Sequence, residues 1–255
     1  MIGPGSIKQQ IGLPPSPNLQ RQGNLFYQAG DRFLQHFIDL CHLEPGERVL
    51  DVGSGYGTKA VALAEYLNRH GQYEGFDVSS DKVSWCTRAI TPLLPNFRFR
   101  QLDVFNGAYN PRGTILPSEL RFPYEDDYFD FAFAISLFTH MHAGETEHYL
   151  HEMARVLRPG GRCLTTWLVL NDESRALIDE GRASFSFRHQ VGDSYAEKAT
   201  PTEAAVAFDE HVVRRMFERV GLVVQGDIHF GRWSGRREFL SFQDILVAST
   251  RQLPL

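Results

Sequence analysis

The sequence predicts an α/β fold built on one mostly parallel sheet with helices on both faces. Residues 49–67 run an apolar strand into a glycine-rich turn and then an amphipathic helix. Strands and helical segments then alternate as far as residue 170. The last two strands, 222–230 and 241–250, are joined by about ten residues, which is too short for a parallel crossover. These strands should therefore pair antiparallel, which gives six parallel strands and an antiparallel seventh.

The glycine-rich turn has the features of a nucleotide cradle. Asp51 closes the first strand, and the turn that follows contains Gly53, Ser54, Gly55 and Gly57. Glycine takes positive φ angles without steric cost and lets the backbone approach a ligand closely. Many similar turns only connect a strand to a helix, so the turn by itself does not establish a ligand site.

Two further strands also end in acidic residues. The strand at 73–78 ends in Asp77, where a carboxylate can accept both hydroxyl protons of a ribose, and the strand at 97–104 ends in Asp103. A nicotinamide-binding domain also carries an acid after its second strand. Its turn usually reads G-x-G-x-x-G, however, and here Thr58 stands where the third glycine should be. The pattern is instead D-x-G-x-G-x-G, with acids at three successive strand ends.

With this pattern the chain resembles the class I S-adenosylmethionine-dependent methyltransferases. The resemblance extends through FDFAFAISLFTHM at 129–141 and EHYLHEMARVLRPGGRCLTTW at 147–167, and covers most of residues 25–170. More narrowly, the FTHM segment and the carboxy-terminal SFQDILVA strand are similar to those of bacterial small-molecule methyltransferases. The resemblance implies a Rossmann-like sheet, S-adenosyl-L-methionine as the cofactor and S-adenosyl-L-homocysteine as the product.

The resemblance also implies which residues contact the cofactor. The first acid and the turn would hold the amino acid moiety, the second acid would bind the ribose, and the third would face the adenine amino group. The implied cofactor-binding residues are Asp51, Gly53, Ser54, Gly55, Gly57, Asp77, Val78, Asp103, Val104, Phe105 and Ser136. No metal is expected, because no carboxylate stands at the end of the fourth strand.

Composition favours one soluble, cytoplasmic enzyme domain. The chain has 255 residues, of which 42% are hydrophobic, so it can bury a large core. No apolar run approaches the ~20 residues of a membrane span, and the amino terminus lacks a basic-then-apolar signal. A formal charge of -5 without a Lys/Arg block argues against a nucleic acid partner. The three cysteines are isolated in the sequence and are predicted to be buried thiols.

We expect residues 1–24 to form a flexible segment and residues 25–255 to form one methyltransferase domain. The first segment is rich in proline, glycine and glutamine and has little periodicity. A flap that orders over a bound ligand is the functional alternative. Two insertions, at 106–124 and 171–208, leave the predicted carboxyl ends of strands, where α/β sheets bind ligands. Both are therefore candidates for a lid or an acceptor cap.

Two histidines follow the fourth strand at the predicted cleft. An oxygen or carbon nucleophile must lose a proton, and imidazole takes up a proton near neutral pH, so His140 and His142 are the catalytic candidates. A packing or hydrogen-bonding role in the loop is the alternative. Further polar and aromatic candidates for contact with the methyl acceptor are Tyr27, Trp167, His189, Tyr195 and Trp233.

The sequence thus predicts a methyltransferase that moves a methyl group from S-adenosylmethionine to a small molecule, at oxygen in preference to nitrogen or carbon. The alternatives are N- or C-methylation, a nicotinamide-dependent oxidoreductase, and a non-catalytic module that binds the cofactor. The sequence does not identify the acceptor, and it leaves open whether the protein forms a homodimer.

Overall fold

The computed structural model of this protein describes residues 6–107 and 109–252. The chain divides into two compact units, of which the first comprises residues 1–116 and 129–131 and the second comprises residues 117–128 and 132–255. Within the described residues, no helix combines the length and the apolar character that crossing a bilayer would require.

The first unit carries the amino-terminal helices and the first strands of the main sheet. Its elements in chain order are α1 (Ile7–Ile11), α2 (Pro17–Gln22), α3 (Asn24–Cys41), β1 (Arg48–Val52), α4 (Thr58–Leu63), β2 (Gln72–Asp77), α5 (Ser80–Ala89) and β3 (Phe97–Gln101). The strand β4 (Phe129–Ala134) follows, and its residues are divided between the two units.

As far as the structure describes it, the second unit contains the remaining strands and three α-helices. Its elements are α6 (Ala143–Val156), β5 (Leu157–Trp167), β6 (Val169–Leu170), α7 (Asp172–Asp179), β7 (His189–Val191), β8 (Ser194–Ala196), β9 (Val206–Asp209), α8 (Glu210–Arg219), β10 (Leu222–Val224) and β11 (Asp244–Thr250).

Seven strands form the main sheet in the order β10-β11-β5-β4-β1-β2-β3. Strand β2 pairs in parallel with both β1 and β3, whereas β11 pairs antiparallel with both β5 and β10. The predicted fold class, with six parallel strands and an antiparallel seventh, is confirmed. The strands β1 and β4 are almost entirely buried, as expected for central parallel strands that are covered on both faces.

The amino-terminal segment is helical where the sequence led us to expect a flexible segment. Lys8 on α1 places its Nζ 2.6 Å from Asp31 Oδ1 and 3.0 Å from Glu65 Oε2, and Ile11 is buried. These contacts hold α1 against α3 and the residues that follow α4. Short helices without periodicity depend on tertiary contacts, so their formation here could not be predicted from local sequence. Residues 1–5 lie outside the described residues.

The insertion at 171–208 contributes to a second sheet that the sequence analysis did not predict. Its strand order is β6-β9-β8-β7. Phe187 and Trp233 are buried beside it with their ring centroids 5.5 Å apart, in a core that also includes Leu168, Leu170, Ala205 and Ala207. The insertion is therefore folded against a shared apolar core, and we call residues 171–208 the cap.

A buried carboxylate joins the start of β11 to two neighbouring segments. Asp244 is fully buried and accepts hydrogen bonds from the Val169 N–H at 2.6 Å, the Gly231 N–H at 2.6 Å and the Trp233 Nε1–H at 2.8 Å. Burial raises the pKa of this carboxyl to about 7, and the three hydrogen bonds act against that rise. Asp244 thus satisfies three buried donors at once.

We expect Asp244→Ala to lower the free energy of unfolding by about 2 to 5 kcal/mol, because it leaves three buried donors without an acceptor. Urea unfolding at neutral pH measures this loss. Asp244→Asn keeps one acceptor oxygen and should lose less. Asp227→Ala, which changes an exposed acid of the same unit, is the matched control. Equal stability of Asp244→Ala and Asp227→Ala would contradict this role for Asp244.

Candidate functional site

The turn after β1 is held open by positive φ angles at its three glycines. The φ values are 82° at Gly53, 54° at Gly55 and 69° at Gly57. The backbone N–H groups of Gly53 and Ser54 both donate to the carbonyl oxygen of Phe76, at 3.0 and 2.9 Å. The turn is thereby fixed against β2 and leads directly into α4.

The side chain of Asp77, at the end of β2, also holds this turn in place. Its Oδ2 accepts from the Gly55 N–H at 2.8 Å, and its Oδ1 accepts from the Ser79 N–H at 2.9 Å. Each carboxylate oxygen can accept a second hydrogen bond. Asp77 therefore orients the turn while keeping acceptor capacity for a ligand hydroxyl.

Asp51, at the end of β1, is buried, and its Oδ2 accepts from the Tyr73 hydroxyl at 2.7 Å. Burial raises the pKa of Asp51 to about 7, nearby Lys59 and the Tyr73 hydrogen bond lower it, and Asp77 raises it further. Burial also lowers the pKa of Lys59, whose Nζ lies 5.4 Å from the centroid of the Phe33 ring. The site therefore disfavours charge on both groups.

The turn also contains a buried hydroxyl group and borders open space. The Ser54 hydroxyl is buried and has no hydrogen-bond partner among the described residues. A Cβ added at Gly55 would meet no atom within 4 Å, so the backbone there borders open space. A buried polar atom without a partner is costly unless a ligand or water satisfies it. These observations fit a turn that receives a polar ligand.

Asp103 lies two residues beyond β3, which ends at Gln101, and its side chain is exposed. Its Oδ2 accepts from the Thr114 hydroxyl at 2.6 Å, and its Oδ1 accepts from Asn110 Nδ2 at 3.4 Å. The hydrogen bond from Thr114 is the main cause of a lowered pKa for Asp103. The first part of the 106–124 insertion thus folds back and orients this carboxylate.

The apolar residues predicted beside the cofactor differ in exposure. Val78 is half-buried, Val104 is buried and bridges to Ile115, and Phe105 is 44% exposed. The Phe105 ring is therefore accessible to a ligand, whereas the Val104 side chain is not.

In the second unit, Ser136 follows β4 with a φ of 55°, a left-handed conformation that is unusual for a residue other than glycine. Its N–H donates to Thr166 Oγ1 at 2.8 Å, and its hydroxyl donates to Gln243 Oε1 at 3.0 Å. Thr166 Oγ1 in turn donates to Gln243 Oε1 at 2.7 Å. Sequence reasoning missed Gln243, because no periodic signal connects it with Ser136.

His140 is exposed, and its Nδ1 lies 3.0 Å from the carbonyl oxygen of Glu203. A carbonyl oxygen only accepts, so Nδ1 carries the hydrogen. Neutral His140 then has its lone pair on Nε2, for which the described residues provide no hydrogen-bond partner. This arrangement suits a general base.

His142 begins α6 and has both ring nitrogens engaged. Its Nδ1 lies 3.0 Å from Ser194 Oγ and its Nε2 lies 2.9 Å from Thr202 Oγ1. The Ser194 hydroxyl donates to the Val191 carbonyl oxygen at 2.7 Å, so His142 Nδ1 must be the donor to Ser194. Nε2 then accepts from Thr202. His142 therefore joins α6 to the cap, which is the alternative role considered for it.

The predicted acceptor contacts do not all share one environment. Trp167 and Trp233 are fully buried in packed aromatic clusters, which gives both a structural role here and no support as acceptor contacts. Tyr27 is half-buried and donates to the Lys8 carbonyl oxygen at 3.3 Å. His189 is exposed on β7, and Tyr195 on β8 donates to Asp209 Oδ2 at 3.3 Å.

An open cleft of about 500 Å³ lies beside α7 and α8, and none of the candidate site residues predicted from the sequence lines it. Its arginines are already ion-paired, Arg175 with Asp209 and Arg214 with Glu210. The remaining lining residues are Leu170, Asn171, Asp172 and His211. In the parts of the chain that the structure describes, no group of three His, Cys, Asp or Glu side chains is arranged to hold a metal ion.

Residues 43–221 match the family model described as a methyltransferase domain. This match covers more than half of the chain and includes the turn, the acids at the strand ends and both histidines. This chain belongs to the class I S-adenosylmethionine-dependent methyltransferases. S-adenosylmethionine is its cofactor, and the turn with its unpartnered Ser54 hydroxyl and open face fits that ligand.

Two curated proteins are similar in sequence to part of this chain. Methyltransferase GfsG of Streptomyces halstedii is 30% identical over 156 residues, which are 60% of this chain and 50% of GfsG. The ubiquinone/menaquinone biosynthesis C-methyltransferase UbiE of Neisseria meningitidis is 31% identical over 141 residues, which are 52% of this chain and 48% of UbiE. The chain spans about half the length of the curated relatives it matches.

Among solved structures, the magnesium protoporphyrin IX methyltransferase of Synechocystis PCC 6803, crystallised with bound S-adenosylhomocysteine, is similar in fold. The TM-score is 0.57 at 15% sequence identity, and the similarity covers 95% of this chain and 91% of that chain. At this identity the similarity concerns the fold alone.

The affinity of the methyltransferase for S-adenosylhomocysteine should depend on pH through Asp51. The ligand carries an ammonium group that favours the ionised carboxylate, whereas a carboxyl with a pKa of about 7 is mostly protonated below that pH. Affinity should therefore rise by about 10-fold between pH 6 and pH 8. Isothermal titration calorimetry measures this rise.

Asp51→Asn, which cannot ionise, is the control for this experiment. Its affinity should be weaker and should not change over the same pH range. The same pH dependence in Asp51→Asn would exclude Asp51 as the titrating group.

Proposed function

We propose that this protein transfers the methyl group of S-adenosylmethionine to a nucleophilic oxygen of a small molecule. The observation that carries the proposal is the geometry of His140, whose Nδ1–H is held by the Glu203 carbonyl oxygen so that its Nε2 can take up a proton. A hydroxyl acceptor has to lose a proton during transfer, and a positioned base supplies about 10²- to 10⁴-fold in rate.

The geometry of the first unit supports the cofactor contacts that we propose. Asp51 and the glycine turn would hold the amino acid moiety, because this is where a buried carboxylate and an unpartnered hydroxyl coincide. Asp77 would accept the ribose hydroxyls through its remaining lone pairs. Asp103 would face the adenine amino group, with Val78 and Phe105 as the apolar contacts of the base.

The chemical problem is mainly one of position. S-adenosylmethionine supplies an activated methyl carbon, so that its C–S bond breaks as the new C–O bond forms. Holding the two reactants about 3 Å apart and in line can supply several kcal/mol of the barrier. His140 Nε2 receives the hydroxyl proton. Ser136, held by Thr166 and Gln243, fixes the backbone that leads from β4 to His140.

Methylation at carbon is a second candidate, because UbiE, with 31% identity over 141 residues, is named a C-methyltransferase. Carbon attack by a phenol or enol ring also begins with loss of an oxygen-bound proton, so the same base would serve. The position of the new methyl group, determined by NMR of the product, separates the two. An acceptor methylated at nitrogen would contradict both.

Asp77→Asn should weaken the binding of S-adenosylhomocysteine by about 10-fold or more, because it removes a charge-assisted acceptor of hydroxyl protons. Wild-type protein should bind this ligand with a Kd in the micromolar range, about -8 kcal/mol. Calorimetry of both proteins measures the difference. Asparagine keeps an oxygen for the Gly55 N–H, so the turn is better preserved than in an alanine variant.

Asp81→Asn, which changes an exposed acid in the first turn of α5, is the matched control and should bind like wild type. Tight binding of NADH without binding of S-adenosylhomocysteine would overturn the proposal. Normal affinity in Asp77→Asn would place the ribose elsewhere.

His140→Ala should lower turnover by ~100-fold or more while cofactor affinity stays unchanged, because only proton transfer is lost. Release of S-adenosylhomocysteine is measured with the phenolic or enolic compound that gives the highest wild-type rate in an acceptor panel. Added imidazole should restore part of the rate. His151→Gln, an exposed histidine on α6, should have no effect.

His142→Gln should act mainly through stability, because both of its ring nitrogens hold the cap. We expect a lower unfolding temperature for this variant. Wild-type turnover in the double variant of His140 and His142 would remove both histidines from the chemistry and would leave methyl transfer to positioning alone.

A further inference from the structure

An exposed apolar cluster stands immediately before β11. Phe239 is 46% exposed, Leu240 48% and Phe242 40%. Within the described part of the second unit, Val223 is the only other large hydrophobic side chain among those with this degree of exposure. Contiguous exposed apolar side chains usually mark a binding surface.

An arginine without an ion-pair partner lies within this cluster. The guanidinium carbon of Arg232 is 5.7 Å from the ring centroid of Phe239 and 5.9 Å from that of Phe242. Arg232 is exposed, and none of the described residues places a carboxylate within ion-pair distance of it. Its charge is therefore available to a ligand.

Arg236, four residues later, shows what a structural arginine in this region looks like. It is buried, and it donates from Nε to Glu173, from Nη1 to Ser234 and from Nη2 to Asn171. All three nitrogens of its guanidinium are thus used by the fold. The contrast assigns Arg236 to stability, whereas the guanidinium of Arg232 packs over the two rings and has no hydrogen-bond or ion-pair partner among the described residues.

The backbone on both sides of the cluster is held rigidly. The Arg232 N–H donates to the Ser241 carbonyl oxygen at 3.1 Å, and the Trp233 N–H donates to that of Phe242 at 3.0 Å. At Gly231 any added Cβ would lie 2.4 Å from the Phe242 oxygen, so the close approach requires glycine. A rigid frame lowers the entropy lost when a ligand binds.

The cluster lies at the edge of the sheet where α/β proteins bind ligands. Asp244, the first residue of β11, pairs antiparallel with Trp167, the last residue of β5. Residues 239–243 therefore stand at the carboxyl end of β5. Gln243, which follows Phe242 directly, bonds to Ser136 at the carboxyl end of β4.

We propose that Arg232, Phe239 and Phe242 recognise the methyl acceptor, and that this acceptor is a planar apolar molecule that carries, apart from the hydroxyl that is methylated, an anionic oxygen group such as a carboxylate. The rings provide stacking area, and the uncompensated guanidinium provides charge complementarity for the anionic oxygen. This inference rests on the proposed function, because it assigns the substrate class of the same enzyme.

The test uses paired fluorescent probes on protein saturated with S-adenosylhomocysteine. Anilinonaphthalene sulfonate combines a planar naphthalene ring with an anionic sulfonate, and phenylnaphthylamine is its uncharged counterpart. Arg232→Gln should weaken binding of the anionic probe by about 10-fold and leave binding of the uncharged probe unchanged, since only the charge-assisted contact is lost. Phe242→Ala should weaken binding of both probes, because the ring on which they stack is lost.

Two matched controls accompany these variants. Arg237→Gln changes another exposed arginine of the same segment, and Val223→Ala changes an exposed apolar residue on β10. Both should bind each probe like wild type. An equal loss of affinity for the anionic probe in Arg237→Gln and Arg232→Gln would overturn the proposal, because the effect would then come from net charge.

The acceptor that gives the highest turnover in a panel of aromatic carboxylates and enols provides the kinetic readout. Arg232→Gln should raise its KM by about 10-fold with kcat unchanged, as expected for a contact made equally before and during transfer. An unchanged KM for every anionic acceptor would overturn the assignment. Calorimetry of S-adenosylhomocysteine on the same samples keeps the two failures apart, because absent cofactor binding refutes the proposed function first.

A lipid surface is the rival occupant of an exposed cluster of phenylalanine, leucine and arginine. Co-sedimentation with vesicles of phosphatidylcholine and phosphatidylglycerol tests it. We expect no vesicle binding by wild-type protein. Vesicle binding that is lost in Arg232→Gln, together with unchanged probe binding, would overturn the proposal and make the cluster a membrane contact.

Discussion

The hydrogen bond between the Asp77 carboxylate and the Gly55 N–H ties the glycine-rich turn to the end of β2, and the geometry of the first unit's candidate site depends on it. Two further N–H groups of the turn are held by the Phe76 carbonyl oxygen, so the turn is fixed through consecutive residues of one strand. The positive φ angles of the glycines make this path sterically possible. Asp77 positions the turn and is also the residue expected to accept the ribose hydroxyls. A substitution of Asp77 should therefore change the turn geometry and the ligand affinity together.

The second unit fixes its site with side chains where the first unit uses glycine. Ser136 takes a left-handed conformation, which costs a residue with a Cβ about 1 to 2 kcal/mol. Its N–H and hydroxyl bonds to Thr166 and Gln243 contribute about 0.5 to 1.5 kcal/mol each, which is enough to offset that cost. A glycine would relieve the strain but would lose the hydroxyl that connects β4 to the segment before β11. The cap then holds the following histidines through Ser194, Thr202 and Glu203.

The sequence predicted the parts of the molecule whose signals are local. Asp51 and Asp77 stand at the ends of apolar runs, and the short connection before β11 fixed its direction. Gln243 and Arg232 could not be found in this way, because their significance arises from the register of β11 with β5, about 80 residues earlier in the chain. The cap sheet was missed because β7 and β8 have three residues each, which is too short for a periodic pattern.

The aromatic candidates show a different limit. Trp167 and Trp233 follow predicted strands and looked accessible from sequence, yet their indole N–H groups donate to the buried Thr165 hydroxyl and Asp244 carboxylate. A tryptophan whose N–H has a buried partner is more useful to the core than to a pocket. The exposed rings of Phe239 and Phe242 follow Trp233 within ten residues, so the same segment also contains aromatic side chains that a ligand can reach.

The charges of the first unit suggest how cofactor binding and ionisation are linked. Burial acts against charge on both Asp51 and Lys59, and the attraction between them compensates only part of that penalty, since the pKa of Asp51 stays raised and that of Lys59 stays lowered. A ligand that brings an ammonium group shifts this balance toward the carboxylate. Part of the intrinsic binding free energy is then spent on ionising Asp51 at neutral pH, about 0.4 kcal/mol when pH equals the pKa and 1.4 kcal/mol one unit below it. If Asp51 holds the amino acid moiety as proposed, affinity for the positively charged donor is coupled to proton release from the same buried carboxyl.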